Sequence, residues 1–266
     1  MKIMLHVLLL LIISSVAVYS LEIDTTRIHR EAELGDVIEG IVNVVNSENS
    51  VSLSVDINIE DMVYDSTEQK VEFKPFGTMD NSCARWIKIN PSVVKIPPKS
   101  SQAVTYIITV PQELKHAQYF AVLFFTTGNS IKEVTSESVL IGSQTRMGVI
   151  VKVTIPALAK PAGKIEAFQV IPANEESPMK LIYAFINKGN ILQKVFGSFS
   201  IIDKEGNLFG RGNMKRGLAN PGEKITIESI WDGDLEAKTY DLIAEFKYEP
   251  KIIEIKEVNF ENQYQE

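Results

Sequence analysis

Cysteine and histidine are nearly missing from this chain: one cysteine, Cys83, and three histidines in 266 residues. A lone cysteine excludes an intramolecular disulfide, so stability must come from packed cores rather than covalent staples. With no CxxC or histidine partner, Cys83 reads as a small buried hydrophobe. His29 and His116 lie far apart and belong to no His-x-x-His or Glu-x-x-His arrangement, which withholds the usual parts of a zinc site or of His-dependent acyl transfer. Both read as solvated or packed side chains, with no metal and no cofactor implied. Basic clusters are absent against a net charge of −7, so nucleic acid and anionic membrane surfaces are poor partners. No Asn-x-Ser/Thr acceptor occurs, which leans toward a bacterial or archaeal source for an exported chain. No window carries a helical stripe of ten or more residues.

One long apolar run is present, at the start. Lys2, the run from Met4 to Ile13 and the small polar end Val18-Tyr19-Ser20 have the order of a secretory signal peptide, with cleavage expected after Ser20. The run is too short to be a stable membrane span. Leu21 and Glu22 stand where a lipid-anchored bacterial protein would need a cysteine. No apolar segment near the C-terminus could serve as an anchor. The expectation is an exported chain, periplasmic or at the cell surface, without a stable membrane anchor after cleavage.

From residue 21 onward the sequence alternates at period two with turn residues between runs, the mark of half-buried antiparallel strands. Strands are predicted over Ile23–His29, Val37–Val45, Val51–Ile59, Ala84–Ile89, Ala103–Val110, Tyr119–Thr126 and Gly148–Ile155. Pro156-Ala-Leu-Ala-Lys-Pro161-Ala-Gly163 then breaks the ladder, because two prolines and a glycine cannot continue it. A second set follows over Lys164–Ile171, Leu181–Asn187, Gly197–Ile202, Lys224–Trp231 and Tyr240–Tyr248. The stretch Lys251–Phe260 either closes this second set or forms a loose edge strand. The polar stretch Glu60–Ser82 is either a hairpin insertion or a functional loop.

The expected fold class is therefore all-β: two immunoglobulin-like β-sandwich domains in tandem after an N-terminal signal peptide. The expected organisation is 1–20 signal peptide, 21–156 first domain, 157–163 linker, 164–260 second domain and 261–266 frayed tail. Trp86, Trp231 and the Phe124-Phe125 pair read as core aromatics.

Catalytic vocabulary is thin. Asp232 and Asp234 flank Gly233 and form the tightest carboxylate pair, which could serve glycoside hydrolysis or calcium. Asp-Gly at the end of a strand is also ordinary turn chemistry, and that reading is preferred. Gly210-Arg-Gly212 lacks the strand–loop–helix context that cradles phosphate. No enzyme activity is expected.

Certain residues do resemble a family. Asp24-Thr-Thr-Arg27-Ile28, Gly35 and Ile41-Val-Asn-Val-Val-Asn46 are similar to the first strands of periplasmic pilus chaperones of the PapD type. Trp86-Ile-Lys-Ile-Asn-Pro91, Ile96-Pro-Pro98, Val110-Pro111, Tyr119-Phe-Ala-Val-Leu-Phe124 and a long strand ending at Pro156 resemble the rest of that first domain. The layout also resembles bacterial surface proteins with paired immunoglobulin-like domains, through Trp86-Ile87, Pro97-Pro98 and Asn187-Lys-Gly-Asn190.

The chaperone resemblance implies an assembly chaperone whose partners are pilin-like or other surface subunits, bound by lending an edge strand. It implies that a basic cleft between the domains holds the subunit's terminal carboxylate, with Arg27 as its first residue. The second basic residue has no clean match; Lys152 is the nearest candidate and Arg146 the next. The implied donor face is Val149, Val151, Val153 and Ile155, which alternation places together. Alternation equally suits a face turned into the chain's own core. The other resemblance implies a structural or adhesive module able to self-associate.

Overall fold

A computed structural model describes residues 21–67, 69–127, 134–135, 138–139, 144–249 and 251–263. The expected signal peptide lies outside the described residues, as do the last three residues of the expected tail.

The first half of the chain is a sandwich of short strands. They are β1 (Leu21–Ile23), β2 (Arg27–Glu31), β3 (Val37–Asn46), β4 (Leu53–Asp65), β5 (Lys70–Lys74) and β6 (Ile87–Asn90). There follow β7 (Val93–Ile96), β8 (Ser100–Thr109), β9 (Gln118–Thr127), β10 (Val134–Thr135), β11 (Ser138–Val139) and β12 (Thr145–Thr154). One sheet has the order β1-β3-β8-β6; the facing sheet runs β2-β12-β9-β4-β5, with β7 also on β4.

The single strand expected over Ile23–His29 is split between these sheets. β1 pairs antiparallel with β3, whereas β2 pairs parallel with β12. Local side chains take the intervening residues out of the ladder. The Asp24 carboxylate accepts the Asn43 main-chain N–H (3.1 Å) and Nδ2 (2.7 Å), and the Thr25 hydroxyl accepts the N–H of Arg27 (3.3 Å). This crossing sets Arg27 as the first residue of β2. The strand expected over Ala84–Ile89 likewise begins as a 3-10 turn, Ala84–Trp86, before β6.

Glu60–Ser82 is a hairpin with a folded return. β4 continues to Asp65 and β5 comes back along it. The return is anchored on the fully buried Asp61, whose carboxylate accepts the N–H groups of Thr78 (2.7 Å) and Met79 (2.8 Å) and the Ser82 hydroxyl (2.5 Å). Burying a carboxylate is tolerated only when its lone pairs are satisfied in this way.

The second half contains β13 (Gly163–Ile171), β14 (Met179–Asn187), β15 (Gln193–Ile202) and β16 (Leu208–Asn213). It continues with β17 (Gly217–Ala219), β18 (Lys224–Trp231), β19 (Lys238–Tyr248) and β20 (Ile252–Asn262). β13-β14-β18 form one sheet and β16-β15-β19-β20 the other, with β17 on β15. β20 settles the open reading of Lys251–Phe260: it pairs with β19 along its whole length. Two residues of the expected frayed tail, Glu261 and Asn262, instead belong to β20, where Asn262 is buried and its Nδ2 donates to the Leu235 carbonyl at 2.8 Å.

Each half has its own apolar core, one drawn from Leu21 through Ile155 and the other from Ile165 through Phe260, with no residue in common. Burying a large aliphatic or aromatic side chain contributes roughly 1.5–3 kcal/mol, so each set supports a sandwich of its own. The chain is thus all-β, with two immunoglobulin-like sandwiches in tandem.

Corresponding asparagines close the two. Asn46, at the end of β3, donates from Nδ2 to the carbonyls of Val51 (2.8 Å), Ile96 (3.0 Å) and Pro97 (3.0 Å). Asn187, at the end of β14, donates to Ile191 (2.8 Å) and Ala219 (2.9 Å). Both side-chain oxygens accept the N–H two residues on, from Glu48 and Gly189.

Candidate functional site

Besides a direct bond from the Leu192 N–H to Gln118 Oε1 on β9 (2.8 Å), two sets of contacts join the sandwiches. The connecting segment, which opens with the 3-10 turn Pro156–Leu158, is held by the Asn187–Asn190 turn. Asn190 Oδ1 accepts the Lys160 N–H (2.7 Å), its Nδ2 donates to the Leu158 carbonyl (2.8 Å), and Lys188 N–H donates to Ala162 (2.9 Å). Gly189 is required there, since a Cβ would stand 2.5 Å from the Lys160 carbonyl oxygen and 2.6 Å from the Ala162 nitrogen. The second set comes from the tip of the β4–β5 hairpin. Gln69 Nε2 donates to the Leu218 carbonyl (2.9 Å) and its Oε1 accepts the Leu218 N–H (2.7 Å). Asn220 Nδ2 donates to the Tyr64 carbonyl (2.7 Å), and the Ser66 hydroxyl bonds the Glu223 carboxylate.

Between these attachments lies a cluster of positive charge. Arg27 opens β2, and Lys152 stands on β12 beside it, opposite His29. Lys194, on β15, and Arg216, just before β17, face them from the second sandwich. The charges act on one another. The Lys194 ammonium is destabilised by partial burial and then by Lys152, Arg27 and Arg216, which lowers its pKa. Lys152 is lowered chiefly by burial, with Arg27 adding to the effect and Glu249 and Glu31 opposing it. His29 senses the same field: partial burial, then Lys152, Lys194 and Arg27, bring its pKa from 6.5 to about 4. Among the described residues, no carboxylate makes an ion pair with Arg27, Lys152, Lys194 or Arg216. Four cations with no direct ion pair among the described residues, and only Glu249 and Glu31 close enough to offset them, form a site that favours an anionic group.

Arg27 and Lys152 are therefore brought together. Arg146 is not; at the far end of β12 it pairs with Glu60 and lies over the Phe124 ring, 3.3 Å from its centroid. Lys194 and Arg216 were not picked out from the sequence. Lys194 could have been, because Lys194 and Phe196 alternate with the buried Gln193, Val195 and Gly197 and so share the outer face of β15. His29 reads as an ordinary solvated or packed side chain in the sequence, and its neighbours come from strands remote in the chain.

The expected donor face requires a correction. Val149, Val151 and Val153 are fully buried and Ile155 is 1% exposed, all within the core of the first sandwich. The pleat that sets these four on one face turns that face inward, so they cannot fill a partner's groove without leaving their own core. What β12 does offer is main chain. β2 pairs with it only from Ile150 onward, and Ile150 donates its N–H to Thr26 (3.0 Å). By the same alternation Gly148 and Arg146 aim their main-chain groups at that edge, and no described strand covers it.

The remaining chemistry is sparse. Cys83 is buried, which pushes its thiol well above the usual range, and His116 packs edge-on to Tyr119. Asp232 and Asp234 are exposed on a turn and line a crevice of about 370 Å³ with residues 173–179. Among the described residues no group of three or more His, Cys, Asp or Glu is placed to hold a metal ion, and no helix is long and apolar enough to cross a membrane.

No protein-family model matches this sequence, and no curated protein matches it either. Solved structures similar to the chain include the class 5 fimbriae chaperone CfaA, at 10% identity over 91% of this chain and 99% of that one, with a TM-score of 0.45. The E. coli chaperone DraB is similar at 12% identity over 92% and 98%, with a TM-score of 0.41. The Salmonella enterica SafA pilin–SafB chaperone complex is similar at 8% identity over 91% and 96%, with a TM-score of 0.42. At these identities and scores the likeness carries no weight for function, and the tandem sandwiches rest on their own strand pairing.

Proposed function

We propose that this chain is an exported, non-enzymatic assembly chaperone for surface or pilus-like protein subunits, holding a subunit's C-terminal carboxylate in the cationic cleft while β12 lends it an edge. The supporting observation is the convergence of Arg27, Lys152, Lys194 and Arg216, from both sandwiches, at the end of a strand edge that no described strand covers. The geometry is directional. β12 runs from Thr145 toward the cleft, and β2 lies parallel to it from Arg27. A peptide laid along the open edge in that same direction would stop where β2 begins, with its terminal carboxylate at Arg27. A guanidinium suits that place because its fork binds a carboxylate through two hydrogen bonds, and main-chain pairing supplies affinity without demanding a sequence. Periplasmic working conditions follow from this reading and from the leader-like residues 1–20.

A second reading draws on the edge strand β20, where Ile253 and Ile255 are 57% and 62% exposed. Exposed apolar edges favour pairing with another chain, which suits a self-associating surface module.

One experiment separates the two: capture from an envelope extract of the source with residues 21–266, beside an Arg27→Glu variant, with mass-spectrometric identification. Near-stoichiometric recovery of a small β-rich subunit, lost on charge reversal, is expected. Recovery of the protein alone, or of partners indifferent to Arg27, would overturn the chaperone reading and leave the surface module.

A further inference from the structure

Beside the cation cluster lies a cavity of about 550 Å³ whose walls come from both sandwiches. Tyr64 and Gln69, at the hairpin tip, form one side; Phe196, Lys215, Arg216 and Leu218 form the other. Phe196 presents an aromatic ring that is 52% exposed, while Leu218 is buried behind it. Leaving an aromatic ring open to water inside a cleft forgoes the favourable burial that a ring normally gains. The cavity and the anion site share Arg216. Arg216 lines the cavity and at the same time acts on Lys194, and its charge reaches Tyr64 on the opposite wall. Phe196 stands two residues beyond Lys194 on the same face of β15, a spacing of about 7 Å. That is close to the reach of one large side chain from its own main chain.

Resting on the chaperone reading, we infer that this cavity is a side-chain pocket that selects the C-terminal residue of the bound chain, taking an aromatic or large aliphatic side chain between Tyr64 and Phe196 while its carboxylate meets Arg27, Lys152 and Lys194. Arg216 serves both halves of the ligand, lying over an aromatic ring and facing the carboxylate. Small or acidic terminal side chains are disfavoured: the first leaves the ring of Phe196 wet, and the second lacks an apolar partner.

Three short extended peptides of otherwise identical sequence test this: one ending in phenylalanine as the free acid, one ending in alanine as the free acid, and one ending in phenylalanine amide. Binding to residues 21–266 is measured by calorimetry, and the imidazole signal of His29 is followed by NMR to report arrival of negative charge. The phenylalanine acid should bind about tenfold to a hundredfold tighter than the alanine acid, and Phe196→Ser should erase that difference while leaving the His29 response. Phe196 is largely solvent-facing, so its replacement leaves the core intact. Equal binding of the two acids, with the amide weaker, would overturn the pocket and spare the carboxylate cleft. Equal binding of acid and amide, or no binding at all, would overturn the cleft and the pocket together.

Discussion

β3 in the first sandwich and β14 in the second end with the same residue doing the same work, yet the two sandwiches fill their interiors differently. Asn46 and Asn187 each sit at a strand end, fully buried, with Nδ2 tying two chain segments and Oδ1 holding the next turn. Around Asn46 the core is mainly aliphatic, with Val42, Val44, Val55, Ile96, Ile108, Val149, Val151 and Val153. Around Asn187 aliphatics such as Leu181, Ile201 and Leu242 are joined by many more rings: Tyr183, Phe185, Phe199, Tyr240, Phe246, Tyr248 and Phe260, against Tyr106, Tyr119 and Phe125 in the first core. Tyr183 and Phe246 lie 5.1 Å apart and Phe185 and Tyr248 5.0 Å, as tilted or edge-on pairs. The first sandwich leans on small branched chains around a few rings; the second gives more of its interior to large rings. A shared lock thus accommodates two packing solutions.

The sharpest break of this comparison is Phe246→Ala. It removes a fully buried ring that contacts both Phe168 and Tyr183, and should cost about 3–5 kcal/mol. Calorimetry should show the transition of the second sandwich falling while that of the first holds. A joint fall of both would mean that the halves unfold as one unit.

Next come Asn46→Ala and Asn187→Ala. Each strands buried carbonyls and should cost about 1–3 kcal/mol per unsatisfied group. Both should destabilise their own sandwich, but only Asn187→Ala should also speed hydrogen exchange at Lys188 and Asn190, whose N–H groups donate to Ala162 and Lys160. Identical exchange profiles for the two variants would show that Asn187 does nothing for the junction.

The smallest effect is electrostatic. His29 stays neutral in the folded chain down to about pH 4, whereas in the unfolded chain it titrates at 6.5. Between those values the unfolded state binds a proton that the folded state does not, so stability falls as pH drops from 6.5 toward 4 and gains nothing above 6.5. Lys152, Lys194 and Arg27 are the charges that face the ring. His29→Gln should flatten denaturation midpoints across that window; an unchanged slope would refute the link.

Much of the fold was legible because period-two alternation is a local signal. Runs such as Val37–Val45 and Tyr119–Thr126 fall on β3 and β9 for that reason. The places left open or misread are those where something non-local decides. At Asp24 and Thr25, side-chain bonds to Asn43 and Arg27 divert an alternating run into the other sheet. At Glu60–Ser82, the buried Asp61 turns a polar stretch into an anchored hairpin. Alternation groups Val149, Val151, Val153 and Ile155 correctly but cannot say which way their face points. Arg27 and Lys152 stand in the cleft, and half of its charge was missed, because Lys194 and Arg216 reach it only through the packing of one sandwich against the other.

Leu192 on Gln118 and Gln69 on Leu218 fasten the two halves at separate places. A body fastened at one point can hinge; fastened at two, it loses the freedom to rotate about either. The gap between Lys152 and Lys194 is thereby held at a set width before anything enters it, and mutual repulsion among its cations is contained by hydrogen bonds some distance away. An anion arriving there meets a rigid jaw and spends none of its binding energy on closing it.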